Sequence, residues 1–471
     1  MKHLHQCTWL TIATLIFSPA VGCRRTGTAT TQQPNVILIM TDDQGQWAMG
    51  CYGNHEIQTP NLDRLAAAGA RFTNAFVTTS VCSPSRATFL TGLVPSQHGI
   101  HDWIQCENVG PRARCMIADK TSLSERLAGG GFLCGLSGKW HLGDSIHKQK
   151  AYDYWFTIPT GGGPYQNAQV VWKGKVEQSK GYLTDRFTDH ALDFLEKNKD
   201  RRFFLNLQYT APHGPWKGHP EKFTSLYENC KFETIPKEGV HEWSSALTAN
   251  IGSRQSLIQY FAAVTAVDDA VGKIIAKLEA LGLRDKTLII FATDNGFQCG
   301  HNGLWGKSNC SNPRNMFEES MKIPLIFNHP GRIPPNQVRT ELVSAYDFMP
   351  TVLDYVGLEM PKERYPGKSF APALEGKKLK WTDRVYGEYG RTRMIRTTEW
   401  KLIHRTDGGP DELYHIADDP KENRNLIDDP QHQQRSRTLY DDLTKWFDEY
   451  SEADADPVGH EYYRKNVRKK N

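Results

Sequence analysis

The sequence lacks a strong charge of either sign: among 471 residues, Lys and Arg number 57 against 53 Asp and Glu, a formal net charge of +4. A nucleic-acid protein carries a larger and more clustered basic excess, so no nucleic-acid partner is expected. The basic stretch Arg464 to Lys470 reads as a solvated terminus. Long apolar runs are also missing. Trp9 to Phe17 is too short to cross a bilayer, and no later stretch is long and apolar enough to do so. Neither a solenoid repeat nor a coiled-coil pattern is present, which excludes repeat and fibrous architectures.

What is there begins with an address. Lys2, the apolar run and the small residues up to Cys23 have the layout of an export signal over residues 1–23. Ala20-Val21-Gly22-Cys23 resembles a bacterial lipoprotein cleavage site, which would place a lipid anchor on Cys23 and make residues 24–34 a polar tether. The expected location is exported: periplasmic, a cell-surface lipoprotein, or secreted. Of the ten cysteines, Cys7 and Cys23 belong to the signal. Cys106 and Cys115, and likewise Cys299 and Cys310, are spaced to close loops in an oxidising compartment. Cys51, Cys134 and Cys230 have no evident partners.

Beyond the tether the pattern is α/β. Asn35 to Met40 is a continuous apolar run, as in a strand buried on both faces, and it runs into Thr41-Asp42-Asp43-Gln44. Thr287 to Ala292 repeats that grammar and runs into Thr293-Asp294-Asn295-Gly296. In open α/β sheets functional groups gather at the carboxyl ends of strands, and a parallel sheet would bring these two ends together. Thr59 to Gly69 reads as a helix capped by Thr59, with Pro60 at its first position. Helical periodicity marks Thr184 to Lys197 and Ser256 to Leu281. Phe132 to Ser137 reads as a strand entering Gly138-Lys139-Trp140-His141; on an extended backbone Lys139 and His141 would face one side. Phe203 to Tyr209 is a strand followed by Pro212-His213-Gly214-Pro215-Trp216. Gly161-Gly162-Gly163-Pro164 is a loop and not a phosphate cradle, since no helical pattern follows. After a polar, Gly/Pro-containing boundary come short strands at Val385–Tyr389, Arg393–Arg396, Trp400–His404 and Glu412–His415, and a helix through Leu439, Leu443 and Phe447. The expected fold is a large mixed, mostly parallel sheet flanked by helices (residues 35–375), with a smaller antiparallel-sheet-plus-helix subdomain (residues 376–471).

The stretch Val81 to Gly92 organises the rest. Pro84 suits the first turn of a helix and Gly92 its end. Cys82 then sits at the helix N-terminus, with Arg86 four residues on, on the same face. The run Cys82-Ser83-Pro84-Ser85-Arg86, followed by Thr91-Gly92, resembles the sulfatase signature Cys-x-Pro-Ser-Arg. The resemblance covers nearly the whole mature chain. It implies that a separate maturation enzyme oxidises Cys82 to formylglycine (3-oxoalanine), whose hydrate is the nucleophile. It also implies that Arg86 stabilises the hydrate, that Lys139 and Lys307 bind sulfate, that His141 takes a proton from the second hydroxyl, and that His213 protonates the leaving alcohol. Asp42, Asp43, Asp294 and Asn295 offer only hard oxygen ligands, which suits Ca²⁺ or Mg²⁺ and argues against zinc or copper. In the family the same four positions and the modified Cys82 hold the metal, usually calcium.

The expected activity is hydrolysis of sulfate esters, with a sulfated saccharide as substrate. Trp103, Trp172, Trp216 and Trp305 are available as sugar platforms, and His98, His101, Asp102 and Arg393 as polar contacts. Two readings compete: a phosphodiester or phosphonate-ester hydrolase of the same alkaline-phosphatase-like superfamily, and a non-catalytic lipoprotein that binds polysaccharide.

Overall fold

Asn35–Asp42 forms a strand in which every residue is buried. It needs no polar alternation because helices cover both faces of its sheet. Val36, Leu38 and Met40 pack on one side with Phe89 and Leu90; Ile37 and Ile39 pack on the other with Phe187, Phe194 and Phe261. The strand pairs in parallel with Phe203–Pro212 and with Thr287–Thr293. Register sets Thr41 against Thr293 and Asp42 against Pro212, so the polar sequences that follow each strand emerge at one rim. Leu133–Gly138 lies parallel on the far side of Phe203–Pro212, with Gly138 against Gln208, and delivers Lys139 to the same rim.

The complete sheet has eleven strands. Lys322–Asn328 runs antiparallel between Thr287–Thr293 and Ala70–Phe76. At the other edge Tyr154–Thr157 is parallel to its neighbour, and Gln169–Trp172 and Lys175–Gln178 close the sheet as an antiparallel hairpin. The computed structural model describes residue 1 and residues 33–456. The export signal, the Cys23 anchor site and the basic tail therefore lie outside the described residues. Among the described residues no helix is long and apolar enough to cross a membrane.

Residues 34–456 form one compact unit. Within it, Arg384–Tyr389, Thr392–Thr397, Trp400–Arg405 and Glu412–His415 make a separate four-stranded antiparallel sheet. The helix Gln433–Tyr450 covers this sheet with Leu439, Leu443 and Phe447.

Two local expectations are corrected. Thr59 precedes the helix Pro60–Ala67 without capping it; its hydroxyl donates to Asp63 Oδ1 at 3.2 Å. The Asp268 carboxylate caps instead, accepting from the backbone N–H of Asn61 (3.2 Å) and Leu62 (2.7 Å). All eight described cysteines, Cys106, Cys115, Cys299 and Cys310 among them, are free thiols. Cys299 faces Trp305 across a short ribbon while Cys310 packs against Gly306, the next residue. Adjacent strand residues point to opposite faces, which separates the two thiols. Cys106 is exposed, whereas Cys115 is held half-buried by a bridge to Gly143.

Candidate active site

The helix Cys82–Thr91 begins at an extended Val81 and ends at Gly92, whose φ of +71° only glycine adopts without strain. All ten of its residues are buried. The Cys82 thiol lies 3.6 Å from Asp42 Oδ1 and accepts from Lys307 Nζ at 3.0 Å. Burial, then the Asp42 charge, pushes this thiol up to about 11, against the smaller pull of Lys139 and Lys307.

Asp42, Asp43 and Asp294 bring carboxylate oxygens within 4.8 Å of one another, all buried. Arg86 spans two of them: Nε donates to Asp294 Oδ2 at 2.9 Å and Nη2 to Asp42 Oδ2 at 3.2 Å. Its Nη1 donates to the Lys139 carbonyl (3.1 Å) and to Gln208 Oε1 (2.7 Å). Lys139 pairs with Asp42 and Lys307 with Asp43. Burial would raise Asp42, but Lys139, then His213, Arg86 and Lys307, outweigh it and hold the carboxyl well below its usual value. Asp294 moves the other way, raised by burial and by the Asp42 charge. Asn295 Nδ2 donates to Asp43 Oδ1 at 2.7 Å, while its Oδ1 is buried without a hydrogen-bond partner. Three converging carboxylates and an orphaned amide oxygen fit a hard divalent cation, which would compensate the like charges and take the free lone pairs. The donor set fits no soft metal.

Both expected lysines and both expected histidines reach this centre. The extended geometry that would align Lys139 and His141 does not hold: His141 has φ +53°, in an irregular turn beyond the strand. Its Nε2 meets the Ile104 carbonyl at 2.9 Å and must donate there, which leaves Nδ1, buried and unpartnered, as the basic nitrogen. Burial, reinforced by Lys139, holds His141 well below the usual imidazole value. His213 Nδ1 donates to the Gly214 carbonyl at 2.7 Å. Its Nε2 is 3.8 Å from Asp43 Oδ2, and its side chain is 30% exposed. Arrayed cations, an unpartnered imidazole nitrogen and a half-exposed imidazole around one buried position suit transfer of an anionic group.

The proposed sugar contacts divide. His98, His101, Arg393 and Trp305 belong to the packing: His98 is buried beside Thr88, His101 binds the Ala455 carbonyl, Arg393 pairs with Asp456, and Trp305 is fully buried against Trp216. Trp172 packs among Tyr154, Phe156 and His190 at the edge of the sheet. Trp103 is exposed and Trp216 half-buried. The sequence marks Gly161 to Pro164 as a loop but gives it no part in the site: a Cβ on Gly161 would fall 2.3 Å from His141 Cε1, and one on Gly162 3.3 Å from His213 Cε1. Sequence reasoning also missed the polar chain from Gln208 through Asn206 to the Tyr152 hydroxyl beneath Arg86. The alternation of polar residues in that otherwise apolar strand was the available signal.

The sulfatase family profile matches residues 34–358, and that of the C-terminal part of N-sulphoglucosamine sulphohydrolase matches residues 306–449. An N-acetylglucosamine-6-O-sulfatase of Bacteroides thetaiotaomicron is 28% identical, covering 90% of this chain and 88% of that protein. An N-acetylgalactosamine-6-sulfatase of Canis lupus familiaris is 31% identical over 78% of this chain and 70% of its own. A structure solved in complex with its substrate D-glucosamine-2-N,6-O-disulfate superposes with a TM-score of 0.79 at 27% identity, covering 91% of this chain and all of that one.

Proposed function

The chain belongs to the sulfatase family and is a sulfuric ester hydrolase, and on that premise we propose that it removes sulfate from a saccharide, through a formylglycine made from Cys82 and with a bound divalent cation. The observation that carries the reading is the convergence of three buried carboxylates, one of them 3.6 Å from the Cys82 thiol, with Lys139 and Lys307 beside them. Asp42, Asp43, Asp294, Asn295 and the modified side chain at 82 would hold the cation, calcium in preference to magnesium. When present, a formylglycine at position 82 would supply the nucleophilic hydroxyl, and the cation would supply positive charge beside it.

The chain's own residues do the rest. Lys139 and Lys307 bind sulfuryl oxygens and offset the charge that spreads over them. Arg86 fixes Asp42 and Asp294 and adds its charge at the nucleophile. His213 presents Nε2 to the leaving oxygen and gives it a proton. His141 Nδ1 accepts the proton of the second hydroxyl. Residues 35–375 carry this chemistry, and the small sheet and its helix that follow support its rim.

Two of the relatives are 6-sulfatases of amino sugars by name, so a 6-O-sulfated hexosamine is the proposed substrate class. The enzyme is exported, on the evidence of its first 23 residues, and depends on a formylglycine-maturation enzyme. The deciding experiment pairs peptide mass analysis of Cys82 with 4-nitrophenyl sulfate and 4-nitrophenyl phosphate as substrates. Aldehyde at position 82 with faster sulfate cleavage is expected. Faster phosphate cleavage would favour the phosphohydrolase reading. Unmodified Cys82, with glycan binding retained in Cys82→Ala, would favour a binding lipoprotein.

A further inference from the structure

We infer that Asp102, Arg314 and Tyr389 form the sugar-recognition rim of this site, the Arg314–Asp102 pair reading two adjacent hydroxyls of the saccharide that carries the sulfate. The inference deepens the sulfatase reading and rests on it. The Tyr389 hydroxyl donates to Asp102 Oδ1 at 2.6 Å. Arg314 Nη2 approaches Asp102 Oδ2 at 3.5 Å, and its guanidinium carbon lies 4.2 Å from the centre of the Tyr389 ring. Tyr389 is buried, while the side chains of Arg314 and Asp102 are 38% and 40% exposed. A buried phenol thus holds two charged groups at the surface with N–H donors and lone pairs to spare.

The immediate neighbours of both charged residues tie them to the catalytic centre. Two residues after Asp102, Ile104 donates its N–H to Ser83 Oγ at 3.1 Å, beside Cys82, and its carbonyl takes the His141 hydrogen bond. Next to Arg314, Asn315 Nδ2 donates to Ser311 Oγ (2.8 Å) and lies 3.5 Å from the Lys307 carbonyl. The three rim residues come from three separate parts of the chain. An exposed ion pair contributes only about 0–1 kcal/mol to stability, so stability alone does not account for the cluster.

Charge identifies the ligand. The pair is neutral as a unit, and Asp102 would repel a second anionic group. A carboxylate that accepts from one hydroxyl and a guanidinium that donates to its neighbour match a vicinal diol. Trp103, 45% exposed and adjacent in sequence, offers an apolar ring face for the sugar.

The test compares Asp102→Asn and Arg314→Lys with the parent enzyme, all matured. Substrates are 4-nitrophenyl sulfate, which has no diol, and whichever of N-acetylglucosamine 6-sulfate and N-acetylgalactosamine 6-sulfate the parent cleaves faster, with its 4-deoxy analogue. Each variant is expected to lose about 10- to 100-fold in kcat/KM on the sugar. The loss falls mainly in KM, rates on 4-nitrophenyl sulfate stay within about twofold, and no further loss appears on the 4-deoxy analogue. Equal losses on aryl and sugar sulfates would make the cluster structural and overturn the inference, as would unchanged sugar kinetics or turnover of the aryl sulfate with neither sugar. A selective loss on glucosamine 2-N,6-O-disulfate would show that Arg314 reads a second anion, and would equally overturn it. Failure of the parent on every sulfate would sink the sulfatase reading itself.

Discussion

At Cys82 a thiol is poorly placed to act. Reactive cysteines have lowered pKa values, and burial with the Asp42 charge raises this one to about 11. Enzyme produced without the maturation activity should therefore keep the fold and lose at least about 10³-fold in rate on 4-nitrophenyl sulfate; kinetics on samples sorted by peptide mass would check it. Asp347 carries a second consequence of burial. Its carboxylate accepts from the backbone N–H of Ser344 and Lys368, both at 2.9 Å, yet burial pushes it up from 3.8 to about 7. A carboxyl that holds its proton more tightly when folded stabilises fully below its unfolded value, and that contribution fades as pH rises. Stability should fall between about pH 4 and 7 on this account, and Asp347→Asn should flatten the slope in denaturant titrations across that range. The candidate catalytic set could be named from the sequence because each residue sits in a short, dense pattern. His98, His101, Arg393 and Trp305 belong to the packing: residue type allows a sugar contact, while burial, which decides, depends on distant chain.

Elements explain why the site is assembled at all. The ends of Asn35–Asp42 and Thr287–Thr293 are separated by about half the chain and joined by register, and both were readable as unbroken apolar runs. Three carboxylates are concentrated there, and a cation bound among them would stabilise the fold as well as serve the chemistry. Chelation should lower both the melting temperature and the rate, and calcium should restore both; scanning calorimetry with and without chelator measures the first. The edge strands Tyr154–Thr157, Gln169–Trp172 and Lys175–Gln178 escaped the sequence reading. Each has four residues, and the last is exposed throughout, so no periodicity accumulates. Between the first two lies the glycine loop, which packs on both histidines. Gly161→Ala would put a methyl into the His141 ring and displace its Nδ1. We expect kcat to fall by about 10- to 100-fold with KM little changed. Gly163→Ala, whose added atom meets nothing within 4 Å, should behave as the parent in the same assay.

On the scale of the molecule, the small sheet is bound to the large one by buried charge. Lys401 Nζ donates to the Met316 carbonyl at 2.8 Å and pairs with Glu422 (2.6 Å) and Glu318 (2.9 Å), while Arg396 holds Glu318 from the other side at 3.2 Å. Burial raises Glu422 to about 7, despite Lys401; Glu318 stays well below its usual value because Lys401 and Arg396 outweigh its burial. Nothing in the local sequence announces this network, since it ties Glu318 to Arg396, 78 residues further along the chain, and to Glu422, 104 residues further along. The same sheet carries Tyr389, and Arg405 on its third strand donates to the Arg314 carbonyl at 2.8 Å. Loosening the sheet should therefore reach the rim before it reaches the metal. Lys401→Met removes the cation shared by two buried carboxylates, which costs about 3–5 kcal/mol. Denaturant titration should record that loss at neutral pH and a smaller one at pH 5, where Glu422 is protonated and needs no partner. In the enzyme that remains folded, KM for the sulfated sugar should rise several-fold while 4-nitrophenyl sulfate kinetics hold; a variant that weakened both substrates alike would place the effect of the sheet at the catalytic centre instead.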